Sequence, residues 1–401
     1  MTRTSCSRGW GSSVRILHTS DWHAGRIWKG LNRLDELERC LEQMARYVES
    51  EGVDLVLMTG DVFDSGAPSA EAERAVFRFF KRVGAAGAQT VVIAGNHDSG
   101  ARLEAWSLLA ELVGVRALGR PRKAADGGLM ELRTAAGETA QVAAVPFAAP
   151  RTLVSALELA DDESRSLQSY AERMGRLVQS LTRRYRSDAV RLLCLHTHLE
   201  GAVKSGSERQ VHVNEDWAAT PAGLPADAHY IALGHIHKPQ EVRSSPSPAF
   251  YAGSPLQLDF GEAGEQKSFV VIDVQPGTQP ARFQRVPYEG GKELRRERMT
   301  LEQLTAAAER LKGSGWLRVT VPLESADPEM NRKVRELLGA SALAVDVELP
   351  REKGEQELRP SLELEGPRKV FEHYYRRRHE REAPEALLEA FEALRKEVEG
   401  F

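Results

Sequence analysis

The sequence predicts an α/β layered domain over about Val14 to Val274, followed by a small α+β module and a C-terminal helical segment. Three observations carry that expectation. Short β-branched runs alternate with amphipathic helical patterns, and each run ends in a polar loop, as in helices layered on a mostly parallel sheet. The 401 residues exceed what one hydrophobic core usually organises. Apolar residues at 41% and charged residues at 28% are those of an ordinary globular chain.

Taken in order, Val14 to Leu17 reads as a strand ending in His18-Thr19-Ser20-Asp21. A helix follows, with Leu34, Leu37, Leu41, Met44 and Val48 at helical spacing. Asp54 to Met58 is a buried strand ending in Thr59-Gly60-Asp61. Pro68 then starts a second helix, at a favoured first-turn position, with Val76, Phe79, Phe80 and Val83 on one stripe. Thr90 to Ala94 is a strand ending in Gly95-Asn96-His97-Asp98, and a third helix carries Leu103, Leu108, Leu109 and Leu112. Val190 to Leu195, Tyr230 to Leu233, Phe250 to Ala252 and Phe269 to Val274 are further strands. The turn-rich stretch Gln275 to Pro280 marks a boundary. Beyond it, Leu301 to Leu311 and Met330 to Leu338 read as helices, with strands at Leu317 to Val321 and Leu343 to Leu349. The resulting division is a polar arm at 1–13, a main domain at 14–280, a small module at 281–350 and a helical tail at 351–401.

Charge and cysteine usage narrow the class. The 54 Lys+Arg against 58 Asp+Glu give a net charge of -4, which argues against coating nucleic acid by bulk charge. A local site where bound cations supply positive charge remains open. Cys6, Cys40 and Cys194 are scattered, so reduced thiols in a cytoplasmic protein are expected rather than a disulfide framework. No apolar run reaches the roughly 18 to 20 residues of a membrane span. The arm at 1–13 lacks the apolar stretch of a secretory signal.

Five polar clusters stand at the ends of predicted strands. They are Asp21-Trp22-His23, Gly60-Asp61-Val62-Phe63-Asp64, Gly95-Asn96-His97-Asp98, His196, and Gly234-His235-Ile236-His237. Ligands bind at strand carboxyl ends in open α/β sheets, so these loops bring carboxylate, imidazole and amide groups to one place. That mixed set suits manganese, iron or zinc better than calcium. Asp21, His23, Asp61, Asn96, His196, His235 and His237 are enough for two ions sharing a carboxylate, the arrangement that clamps an in-line phosphoryl displacement. Taken singly, Asp21-Trp22-His23 could be a helix cap beside a surface histidine, the paired histidines 235 and 237 a satisfied core pair, and Gly95 to Asp98 a simple turn. Five such coincidences at five strand ends are not a credible alternative.

The series resembles the calcineurin-like metallophosphoesterases. Ser20 to His23 with Gly25-Arg26 is more narrowly similar to the SbcD family of bacterial nuclease subunits, as are Gly95 to Ser99 through Arg102-Leu103-Glu104. Tyr251 to Pro255 running into Asp259-Phe260-Gly261 fits as well. The resemblance implies a β-sandwich flanked by helices, a small capping domain that shapes DNA, and two divalent ions, with Mn²⁺ the expected metal. It implies that Asp21, His23 and His237 hold one ion, Asn96, His196 and His235 the other, and that Asp61 bridges them. His198 stays open as an alternative to His196. By the same resemblance His97 donates a proton to the leaving oxygen, with Asp98 fixing its tautomer. Arg26, Lys29 and Arg102 are candidate DNA contacts or solvated charges, and Tyr251 to Ser254 could offer amides to a phosphate.

The implied activity is that of a DNA nuclease subunit in break repair, a duplex 3′-5′ exonuclease and a single-strand or hairpin endonuclease. It would work with an SbcC-like, SMC-family ATPase, bound through two apolar stripes within residues 366–401. Val370, Phe371, Tyr374 and Tyr375 form one stripe, and Leu387, Phe391, Leu394 and Val398 the other. Arg376-Arg377-Arg378 is a nucleic-acid contact or a solvated face. A homodimer is implied through the helices after Pro68 and Ser99, with Phe77, Phe80, Trp106 or Leu109 at its centre. A phosphatase or cyclic-nucleotide phosphodiesterase of the same fold is the alternative, and a metal-binding scaffold without catalysis a third reading.

Overall fold

The computed structural model describes residues 13–150, 152–153, 169–208, 217–277, 281–349, 367–379 and 381–399. Residues 1–12 of the expected arm, with Cys6, residue 350 at the end of the expected small module, and 351–366 of the expected tail lie outside the described residues. Among those described, two six-stranded sheets pack face to face. The strands that build them are β1 (Val14–Thr19), β2 (Leu55–Met58), β3 (Gln89–Ile93), β4 (Val115–Leu118), β5 (Leu129–Arg133) and β6 (Thr139–Val145). They continue with β7 (Val190–His196), β8 (Tyr230–Gly234), β9 (Gln240–Glu241), β10 (Ala249–Tyr251), β11 (Ser268–Val274) and β12 (Arg282–Pro287). The first sheet has the order β12-β11-β1-β2-β3-β4 and the second β9-β10-β8-β7-β6-β5. Strands β1 to β4 are mutually parallel, as are β6, β7, β8 and β10.

Alternation along each strand explains the layering. Ile16, Leu55, Leu57, Val91 and Ile93 point to the inner core against Val142, Leu192, Cys194 and Ala232 of the second sheet. Their neighbours Leu17, Val56, Met58 and Val92 point outward, where α1 (Leu34–Glu51) and α2 (Ala70–Ala85) cover them with Leu37, Met44, Val76 and Phe80. On the opposite outer face α4 (Tyr170–Thr182) lays Met174, Leu177, Val178 and Leu181 on Val145, Leu193, Leu195 and Ile231. Strands buried on both faces therefore read as continuous apolar runs rather than alternating ones. The expected sandwich flanked by helices is what forms.

The elements depart from expectation in several places. Helix α2 begins at Ala70 and not at Pro68, because the Ser69 hydroxyl caps it by accepting from the Ala72 amide. Helix α3 (Gly100–Ala110) buries Leu103, whereas Leu108, Leu109 and the following Leu112 are 74%, 73% and 83% exposed. That stripe faces outward. The break at 275–280 is not a domain boundary, since β12 beyond it pairs antiparallel with β11 before it, from Ser268↔Pro287 to Asp273↔Arg282. The small module therefore starts after Pro287. It holds β13 (Leu294–Arg298), β14 (Trp316–Pro322) and β15 (Ala342–Glu348) in one sheet, with α5 (Leu301–Leu311) and α6 (Met330–Leu338).

The module is anchored to the main domain through α1. Buried Glu36 receives the Trp316 indole N–H at 3.0 Å and the Lys292 amide at 2.7 Å, and pairs with Arg33 at 2.8 Å. Trp28, Phe260 and Leu294 form a small apolar cluster beside that node. By contact density these parts form one compact unit, while 322–327 and 348–401 form another. Within the second unit α7 (Pro367–His379) and α8 (Glu385–Glu399) make a hairpin. Phe371 stacks on Phe391 with centroids 4.5 Å apart, and Arg368 pairs with Glu385 at 2.5 Å. Leu388 is the buried anchor, while Tyr374 and Leu394 are each 61% exposed.

Candidate metal centre

Each candidate ligand stands at or just past the carboxyl end of a parallel strand. Asp21 and His23 come after β1, Asp61 after β2 and Asn96 after β3; His196 ends β7, and His235 and His237 follow β8. Backbone bonds stitch the first two loops together. The Asp21 amide donates to the Gly60 carbonyl, His23 to Asp61 and Ala24 to Val62, each at 3.0 Å. Close approach demands glycine at Gly60, where a Cβ would come within 2.3 Å of the His196 ring at a φ of +98°. Asp21, His23, Asp61 and His235 all hold positive φ, from 46° to 101°, and Lys29 is the one other described non-glycine residue that does. Backbone strain is thus concentrated in the ligand loops, as expected where function over-determines conformation.

The side chains converge as two sets about Asp61. His23 Nε2 faces His237 Nε2 at 3.1 Å, and Asp21, His23 and His237 offer atoms within 4.8 Å of one another. On the other side Asn96 Oδ1 lies 3.1 Å from His196 Nε2 and 2.9 Å from His235 Nδ1. Asp61 Oδ2 stands 3.7 Å from both His23 Nε2 and His196 Nε2. Of the two histidines that spacing left open, His196 reaches this cluster. Its Nδ1 donates to the Thr59 carbonyl at 2.7 Å, which leaves Nε2 as a lone pair aimed inward. His198 instead begins the short ribbon His198–Leu199.

Electrostatics favour cations here. Burial, with Asp61 alongside, pushes the Asp21 carboxyl well above the ordinary carboxylate range. Burial lowers His23 to about 4, lowers His196 as well, and with help from His196 takes His235 well below the ordinary imidazole value. Neutral imidazoles with inward lone pairs, set against buried carboxylates, are a donor set that divalent cations complete. The two facing Nε2 atoms of His23 and His237 have the same requirement. The residues present fit the metal pair.

Three expected site residues take other roles. Asp98 does not touch the His97 ring: its carboxylate accepts the amides of Gly95 at 2.9 Å, Phe63 at 3.0 Å and Val62 at 3.2 Å. His97 Nδ1 lies 2.9 Å from the Asp64 carbonyl, which can only accept, so Asp64 fixes the tautomer. Tyr251 is fully buried, its hydroxyl donating to the Thr197 carbonyl and accepting the Leu199 amide. Ser254 is buried too, with its amide on the His237 carbonyl at 3.1 Å and its hydroxyl on Leu256. Ser254 thus buttresses His237 and Tyr251 the loop after His196, and neither hydroxyl is turned to a phosphate. Arg26 lies 3.8 Å from Asp64, Arg102 pairs with Glu73 at 2.9 Å, and exposed Lys29 sits 5.9 Å from the Trp28 ring centroid.

Sequence reasoning missed a group of supporting residues. Asp64 Oδ1 stands 3.2 Å from His23 Nδ1. Ser207 Oγ lies 2.5 Å from His237 Nδ1 and donates to Glu262, which Lys267 pairs at 2.6 Å. The Glu208 carboxylate accepts the His237 amide at 3.1 Å. Nothing in the spacing of Glu262 or Lys267 pointed to these contacts; only the fold brings them in.

Comparison with known proteins decides the family. The family described as Calcineurin-like phosphoesterase matches residues 14–239, more than half the chain. The chain belongs to this family. Within it, the chain is similar to the SbcD component of the SbcCD nuclease of Bacillus subtilis, 36% identical over 70% of this chain and 71% of that one. The SbcD component from Rhodobacter capsulatus is 32% identical over 67% and 68%, and that of Escherichia coli K12 31% over 66% of each. Residues 291–379 match a second family, described as Type 5 capsule protein repressor C-terminal domain. The phosphoesterase match ends two residues past His237, and so covers every candidate ligand.

Proposed function

We propose that the chain is the nuclease subunit of an SbcCD-type complex, a metal-dependent phosphodiesterase that cuts DNA with two divalent ions. The observation that carries the reading is Asp61 Oδ2, placed 3.7 Å from one histidine of each ligand set. In it Asp21, His23 and His237 hold one ion, Asn96, His196 and His235 the other, and Asp61 both. Mn²⁺ fits this imidazole, carboxylate and amide set. Bound there, the ions supply Lewis acidity to the phosphoryl oxygens and draw down the pKa of water. The chain's own part is orientation and proton transfer. His97, with Nδ1–H held by the Asp64 carbonyl, gives a proton from Nε2 to the leaving oxygen in its imidazolium form and ends as the neutral Nδ1–H ring.

The division of labour follows the fold. Residues 14–287 form the nuclease domain, 288–349 the cap beside it, and the α7–α8 hairpin the docking element for an SbcC-like ATPase. Exposed Phe77, Leu108, Leu109 and Leu112 supply the apolar face of a homodimer. Phe80, also expected there, is 2% exposed in the core and takes no part. No described helix is long and apolar enough to cross a membrane, and the proposed setting is the cytoplasm.

The test is cleavage of labelled linear duplex, hairpin and single-stranded DNA with Mn²⁺, beside a phosphomonoester control. Cutting of DNA with little phosphomonoester turnover is expected. The reverse preference would make the chain a phosphatase.

A further inference from the structure

We propose that Glu262, acting through Ser207, fixes His237 in the tautomer that turns its Nε2 lone pair toward the cation. Glu262 is then a positioning residue for the Asp21–His23–His237 half-site, an inference that rests on the two-metal reading above.

The argument is one of counting protons. Glu262 is fully buried and Lys267 is 6% exposed, so their pairing at 2.6 Å is a desolvated ion pair rather than a surface contact. Lys267 also donates to the His237 carbonyl at 2.8 Å and to Glu265 at 2.9 Å. On Glu262, Oε2 is occupied by Lys267 and by the Leu258 amide at 3.0 Å. Its Oε1 receives the Ser207 hydroxyl. A hydroxyl has one proton; once it is given to Glu262, Ser207 Oγ can only accept from His237 Nδ1, 2.5 Å away. His237 must therefore carry its proton on Nδ1, leaving Nε2 as the lone pair that faces His23 Nε2 at 3.1 Å. The order Lys267, Glu262, Ser207, His237 runs in one direction. Charge balance keeps it so, because an ionised Glu262 accepts and never donates. Ligand histidines commonly give their second ring N–H to a carboxylate; here a serine stands between.

The same counting gives a decisive variant. In Glu262→Gln, Lys267 and the Leu258 amide still require an acceptor and hold the amide oxygen on their side. The NH₂ group is then turned to Ser207, whose hydroxyl reverses and donates to His237 Nδ1. His237 becomes an Nε2–H tautomer, unable to ligate until it switches.

Two readouts test this on the full chain. Nitrogen-15 histidine spectra of the metal-free protein should show His237 protonated on Nδ1 in the wild type and on Nε2 in Glu262→Gln. Calorimetric titration with Mn²⁺ should show one of two sites weakened about 10- to 100-fold in the variant and the other unchanged. Ser207→Ala should weaken the same site, and Ser207→Thr, which keeps a hydroxyl, should restore it; this pair carries the test if the glutamine variant does not fold. An unchanged tautomer in Glu262→Gln, or wild-type Mn²⁺ affinity in Ser207→Ala, would overturn the proposal. A wild-type chain that binds no Mn²⁺ overturns the metal reading instead, and the tautomer spectra still judge the relay.

Discussion

Nδ1 of His97 lies 2.9 Å from the carbonyl oxygen of Asp64, so the His97 ring is held as a donor by backbone and not by a carboxylate. Nε2 is the atom left for the proposed proton transfer. His97→Ala should keep both ions bound and lose cleavage by roughly 10²- to 10⁴-fold, the usual worth of a positioned general acid. Metal analysis of the purified variant checks the first half. An empty site would make His97 a ligand.

Asp61 should behave differently. One of its oxygens accepts the His97 amide at 2.8 Å while the other stands between the two histidine sets. Asp61→Ala removes the proposed shared ligand and should lower occupancy from about two ions per chain to one or fewer. Elemental analysis after gel filtration gives the number. Two tightly held ions in that variant would end the bridging role.

The cap's anchor has a pH signature. Burial would raise the Glu36 carboxyl, but paired Arg33, the Lys292 amide and the Trp316 indole outweigh it and hold Glu36 below its ordinary value of 4.5. A depressed carboxylate stabilises above its unfolded pKa, and that stability is lost as pH falls through the folded one. Glu36→Ala leaves Arg33 buried without its partner, so it should cost about 3–5 kcal/mol at neutral pH. Urea midpoints compared with the wild type should converge as pH drops below 4.5. A gap that stays constant with pH would remove the charged pair from the account.

The candidate ligands are legible because each stands at the end of an apolar strand. Fold and ligands are thus read from one signal: Leu55 to Met58 announces both a buried strand and the loop bearing Asp61. Strand β6, Thr-Ala-Gln-Val-Ala-Ala-Val, escapes such a reading because alanine has little strand preference, although every residue but the first is buried. Helix α4 carries a readable signal, Tyr170, Met174, Leu177 and Leu181 after a Ser169–Glu172 capping box, that the sequence reading missed. The roles of Asp98 and Glu262 are not readable at all. Asp98 sits beside His97 in sequence yet turns to three amides, and Glu262 reaches His237 only because the chain folds back.

The outward stripe of α3 predicts assembly. Leu108, Leu109 and Leu112 are more than 70% exposed, and apolar side chains grouped in this way on a folded surface call for a partner. Leu109→Glu should shift the chain from dimer to monomer in sedimentation at micromolar concentration, with metal content unchanged. A wild-type chain that sediments only as monomer would assign that face to another partner.

Removing residues 366–401 should separate cutting from coupling. Phe371 and Phe391 stack on each other, so α7 and α8 satisfy part of their apolar surface as a hairpin. Tyr374 and Leu394 remain largely exposed on it, as docking helices present themselves to a groove. The side chain of Val398, expected on the same stripe, lies outside the described residues. All seven candidate ligands precede the deletion by more than a hundred residues, and the hairpin belongs to a different compact unit from theirs. Mn²⁺-dependent cutting of simple single-stranded DNA should therefore survive, while binding to an SbcC-like ATPase and ATP-stimulated processing of duplex ends should vanish. Co-purification of the truncated chain with the ATPase at undiminished strength would place the docking surface elsewhere, and unfolding of the truncated chain would make the hairpin part of the core.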